Sequence, residues 1–93
     1  RPRIYAGYVL SEGMRNDDVR DLQTYLSYIG KIIPEIPEIP VTGYYGPQTR
    51  DAVYTFQRLY GLPVSGQTGQ NTWYRIAEEY NALKGLNYSG FGV

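Results

Sequence analysis

Ninety-three residues suffice for one domain with one small core, burying roughly 60–65% of the unfolded chain's surface, and leave no room for a deep catalytic cavity. Nine basic side chains balance nine acidic ones, so the broad cationic field of a nucleic-acid or anionic-membrane binder is missing. Neither cysteine nor histidine occurs, which excludes disulfides, Ser-His-Asp and Cys-His machinery and any ordinary zinc site, and no cofactor is expected.

Residues 1–9, with Ile4, Tyr5 and Tyr8, read as an extended lead-in. A first helix should open at Asn16, an N-cap followed by Asp17 and Asp18 at the positive end of the helix dipole. Val19, Leu22, Leu26 and Ile29 form its apolar stripe, and Gly30 is its expected stop. The stretch Lys31-Ile32-Ile33-Pro34-Glu35-Ile36-Pro37-Glu38-Ile39-Pro40 repeats proline every third residue, which forbids helix and suits a stiff connector. A second helix follows from Pro47, at a position where a missing N–H costs nothing, with Ala52, Val53, Phe56, Leu59 and Tyr60 on its buried face and Gly61 at its end. The third should run from about Gln70 to Leu83, with Trp73, Ile76, Ala77, Tyr80 and Leu83 on one side. Gly85 onward reads as a tail or linker, so the domain is placed at residues 10–84, between a lead-in at 1–9 and a tail at 85–93.

Ahead of the second and third helices the chain repeats itself. Val41-Thr42-Gly43-Tyr44-Tyr45-Gly46-Pro47-Gln48-Thr49 returns as Val64-Ser65-Gly66-Gln67-Thr68-Gly69-Gln70-Asn71-Thr72, and Val19-x-x-Leu22-Gln23 is answered by Val53-x-x-Phe56-Gln57. Each copy is an extended entry, a glycine turn and a helix start, in which the threonine can satisfy an unpaired amide. The fold expected is all-α: a small three-helix bundle with two repeated V-x-G-x-x-G turns.

These blocks, in this order over residues 10–80, resemble the bacterial peptidoglycan-binding domain of type 1, a three-helix module attached to cell-wall hydrolases. The resemblance implies a non-catalytic wall-binding module that targets an attached hydrolase or wall protein. Its partners would be peptidoglycan, through stem peptide or glycan, and the catalytic domain of the parent; no nucleic acid, no membrane and a monomeric state are expected. It also implies an extracellular, wall-associated location. No run approaches the ~20 apolar residues that cross a bilayer, and because the chain starts Arg1-Pro2-Arg3 without a signal peptide, a segment of a longer protein carrying the signal elsewhere is expected. Two departures stand out. Thr42 and Ser65 replace the family's usual Asp or Asn before the turn glycine, and the proline-rich stretch is longer than the minimal pattern. A similar fold occurs in matrix metalloprotease prodomains, but those need a cysteine switch, which this chain lacks.

Tyrosine is in excess, with eleven copies. Tyr44 and Tyr45 in the first turn, Tyr25 and Tyr28 around the first helix, and Tyr54 and Tyr74 off the main stripes are expected to present rings to solvent, where flat amphipathic rings suit sugar faces and peptide stems. Arg50 takes the place in the first copy that Trp73 takes in the second, and its guanidinium could pair with a stem-peptide carboxylate. The candidate ligand-binding residues are therefore Tyr44, Tyr45, Gln48, Thr49, Arg50 and Trp73, with Trp73 either in the core or in a groove wall. No carboxylate pair suggests glycosidase chemistry: Asp17, Asp18 and Asp21 cluster at a helix start, and Glu78 and Glu79 point apart. The alternative is a protein-interaction module packing on a partner domain of the same parent.

Overall fold

The computed structural model describes residues 5–89, as three helices, α1 (Asp17–Ile32), α2 (Pro47–Leu59) and α3 (Gln70–Ser89). Among the described residues there is no strand, only two isolated antiparallel bridges, Leu10 with Thr68 and Arg15 with Tyr44. The first four residues of the expected lead-in and the last four of the expected tail lie outside the described residues.

Helix α1 begins as its sequence dictates: Asn16 Oδ1 accepts the Val19 N–H at 2.9 Å, and Asp17 and Asp18 occupy the first turn. It does not stop at Gly30. The helix continues to Ile32, and the Ile33 N–H closes it on the Ile29 carbonyl at 2.8 Å. Gly30 serves another purpose, because a Cβ there would lie 2.8 Å from the Ile36 carbonyl oxygen and 3.1 Å from that of Pro37. The glycine admits the proline-rich connector against the helix wall. That connector contributes to the core through its three-residue period: Ile36 and Ile39 are buried while Pro34, Pro37 and Pro40 are exposed.

Pro47 sits in the first turn of α2, whose buried residues are Thr49, Ala52, Val53, Phe56 and Gln57. Leu59, expected on that face, is 45% exposed, and Tyr60 is half-buried and stacked on Phe56 at 4.1 Å; Gln57 takes the core position at this level. Gly61, at φ +71°, turns the chain, and the Leu62 N–H returns to the Gln57 carbonyl at 2.9 Å. Helix α3 buries Trp73, Ile76 and Ala77 with Tyr80 and Leu83 packed beside them, then runs past the expected end through Gly85 to Ser89. One internal glycine costs a helix only about 1 kcal/mol, and no proline follows to break it.

The core lies mainly between α1 and α3. Trp73 packs on Tyr25 at 5.8 Å between ring centroids, and Tyr25 on Tyr80 at 4.5 Å. Tyr25 is therefore buried, not presented to solvent. Its ring covers the tryptophan that a polar side chain could not cover. Tyr28 and Tyr74 are half-buried, and Tyr54 is exposed as expected.

Candidate ligand site at the paired turns

The glutamine that ends each V-x-x-[L/F]-Q stripe holds the turn that follows it. Gln23 Oε1 accepts the Thr42 and Gly43 N–H groups, both at 2.8 Å, while Nε2 donates to the Tyr44 carbonyl at 2.8 Å and to Thr49 Oγ1 at 3.0 Å. Gln57 repeats this bond for bond: Oε1 accepts Ser65 and Gly66 N–H at 2.9 Å, and Nε2 donates to the Gln67 carbonyl at 2.9 Å and to Thr72 Oγ1 at 3.1 Å. Both glutamines are 1% exposed, so each buried carboxamide has its hydrogen-bonding capacity met by the backbone and threonine hydroxyl of its turn.

The hydroxyls that replace the family's usual Asp or Asn do their local work. Thr42 Oγ1 accepts the Tyr44 N–H and Ser65 Oγ the Gln67 N–H, each at 3.1 Å, folding the turn around Gly43 at φ +85° and Gly66 at φ +77°. Thr49 and Thr72 differ from expectation. Among the described residues neither caps a helix amide; each accepts instead from the glutamine carboxamide.

Tyr45 joins the two copies. Its ring is fully buried, and its hydroxyl donates to the Gly66 carbonyl at 2.7 Å with Thr68 Oγ1 at 3.1 Å, the residue equivalent to Tyr45 in the second copy. Burial pushes the phenol up to about 12. The expectation that this ring faces solvent is corrected: it braces one turn against the other. Residues 10–16 run across both, through paired Leu10–Thr68 backbone bonds, Tyr45 N–H to Met14 and Asn16 N–H to Gly43.

Each turn borders a small, open cavity that its glutamine helps to line. The first, of 330 Å³, is walled by Tyr44, Pro47, Gln48 and Thr49, with Arg15 at the rim. The second, of 280 Å³, has the matching positions Gln67, Gln70, Asn71 and Thr72, with Val9 at the rim. Of the sequence-derived candidates, Tyr44, Gln48 and Thr49 come together in the first cavity. Tyr45, Arg50 and Trp73 lie outside it. Trp73 is 1% exposed in the core, the first of the two roles expected for it. Arg50 is exposed, but its guanidinium is engaged by Glu12 at 3.3 Å and Asp51 at 3.1 Å, which raise its pKa further, chiefly through the Asp51 hydrogen bond.

The cation at the cavity is Arg15, which sequence spacing did not single out. Its guanidinium lies 4.2 Å from the centroid of the Tyr44 ring. Only the Arg15–Tyr44 bridge brings these residues together, and no local pattern encodes that register. No ion pair of Arg15 is present among the described residues. Arginine over tyrosine, beside a free carboxamide and a threonine hydroxyl, can hold a carboxylate or a carbonyl. No carboxylate side chain lines either cavity, and no group of three or more metal-ligating side chains occurs among the described residues.

The architecture is thus three helices with two glutamine-held glycine turns, each beside a small cavity. The chain belongs to the family described as "Putative peptidoglycan binding domain", whose pattern matches residues 15–76. Among solved structures it is similar to the SleB N-terminal domain, with 30% identity and a TM-score of 0.72 over 83% of this chain and 99% of that one. It is also similar to a peptidoglycan-binding protein from Clostridioides difficile, solved in complex with glutamine hydroxamate, with 26% identity and a TM-score of 0.72 over 83% of this chain. The chain spans 45% of that protein. No curated protein gives a significant match.

Proposed function

We propose that the chain is a non-catalytic module that holds a parent protein, such as a wall hydrolase, on peptidoglycan, with the first-turn cavity as its contact. The observation that carries this reading is the Arg15 guanidinium stacked on Tyr44 at the mouth of a cavity that also presents Gln48 and Thr49. A stem peptide ends in a carboxylate and carries amide carbonyls along its length, the groups that this set of donors recognises. Tyr45 and Trp73 act behind the site, one bracing the two turns against each other and the other packing α3 on α1. Family membership and the likeness to the peptidoglycan-binding protein from Clostridioides difficile support the wall as the place of work, and with it an extracellular parent. No helix among the described residues is long and apolar enough to cross a membrane.

Binding to one small cavity is weak by itself and acts by raising the local concentration of the attached domain. The test is incubation of the purified chain with sacculi. Pelleting with the wall, without release of reducing ends or free amines, is expected. A chain that stays in the supernatant, or that releases either product in proportion to its concentration, contradicts the proposal.

A further inference from the structure

The second cavity repeats the first in its floor and departs from it at its rim. Thr72 is 6% exposed, and its hydroxyl accepts from Gln57 Nε2 at 3.1 Å while its own proton has no acceptor among the described residues. Thr49 stands in the same state over Gln23 at 2% exposed. Each cavity therefore offers a buried, unspent hydroxyl donor. The charge is gone from the lining: the segment before α1 contributes Val9 here where it contributes Arg15 to the first cavity, Gln67 takes the place of Tyr44, and Asn71 matches Gln48. The side-chain amides of Gln67 and Asn71 make no hydrogen bond among the described residues, so the cavity combines donors and acceptors with no net charge.

A carboxylate placed there would lose water and gain no cation, which disfavours it. A neutral group with one carbonyl and one N–H would meet a matching donor and acceptor, and the apolar wall of Val9 and Pro63 would cover a methyl group. We propose that the second cavity is a separate binding site for an acetamido group of the kind carried by N-acetylated amino sugars, so that the module binds at two points of different chemistry. The two-point form rests on the wall-binding reading above; the acetamido site itself does not.

The experiment is an NMR titration of the isotope-labelled chain with two probes, N,N′-diacetylchitobiose and D-alanyl-D-alanine. The disaccharide is expected to move the backbone amides of residues 65–72 and leave residues 42–49 in place, and Asn71→Leu or Gln67→Leu, both at exposed positions, should weaken this response about tenfold. The dipeptide should do the reverse and respond to Arg15→Ala. A second turn that the disaccharide leaves unmoved, or a response that neither leucine variant weakens, overturns the proposal. Pelleting of the unaltered chain with sacculi separates the two claims. If the chain pellets but the disaccharide does not bind, the second site fails and wall binding stands; if the disaccharide binds but the chain does not pellet, the second site stands and wall binding fails.

Discussion

Replacing Gln23 by leucine keeps the side chain's bulk and removes every polar contact it makes. The Gly43 N–H, buried and bonded to Oε1 at 2.8 Å, loses its acceptor, and so does the half-buried Thr42 N–H. On the other side the Tyr44 carbonyl and Thr49 Oγ1 lose their donor at 2.8 and 3.0 Å. An orphaned buried polar group costs about 1–3 kcal/mol, and water can reach some of these, so the expected loss is about 3–5 kcal/mol. A domain of this size has about 5–14 kcal/mol in all. With an m-value of about 1.5–2 kcal/mol/M, the urea midpoint should fall by about 2 M. Gln57→Leu breaks the equivalent bonds at 2.9 and 3.1 Å and should cost a similar amount. The check is urea unfolding followed by circular dichroism for both variants. A midpoint shift below about 0.5 M for either glutamine, or a large cost for one and none for the other, would refute the idea that both turns hang on their glutamines.

Three further outcomes follow from the same geometry. Tyr45→Phe removes the bonds to the Gly66 carbonyl and Thr68 and should cost about 1–3 kcal/mol in denaturant unfolding, where a solvent-facing tyrosine would cost almost nothing. The Tyr45 phenol, held up at about 12 by burial, ionises in the unfolded chain first, so its contribution is intact below pH 10 and is lost as pH rises toward 12. About 2 kcal/mol should disappear by pH 12 in unfolding measured against pH, and part of that loss should be absent in Tyr45→Phe. Gly30→Ala would gain up to about 1 kcal/mol in an open helix, but the added Cβ meets the Ile36 carbonyl oxygen at 2.8 Å, and a net loss of about 1–2 kcal/mol is expected from thermal unfolding.

Elements built from local signals were readable in the chain itself. The apolar stripes place all three helices, the Asn16 cap and Pro47 place two starts, and the duplicated turn places both glycines at positive φ. Gly30 misled because a glycine after an apolar stripe is a stop signal only when nothing approaches its α-carbon; here the connector approaches it from six residues downstream, and sequence alone does not reveal that contact. Tyr45 misled for a similar reason. A tyrosine between turn glycines looks exposed until a second turn closes over it, and that partner lies 21 residues away. Gln23 and Gln57 were visible as matched positions of the repeat, and a polar residue at the end of an apolar stripe was the available sign of a buried hub. Arg15 left no comparable sign, since its place over Tyr44 depends on a single bridge between distant segments.

Co-sedimentation with sacculi, comparing the unaltered chain with Arg15→Glu, reaches the central claim most directly. Arg15 is exposed and pairs with no carboxylate among the described residues, so reversing its charge should leave the melting temperature within a few degrees. The apparent affinity for sacculi should fall by about tenfold or more, the scale of one lost charge-assisted contact together with repulsion of the ligand carboxylate. Unchanged pelleting of a folded Arg15→Glu chain would contradict the assignment of the first-turn cavity as the contact with the wall.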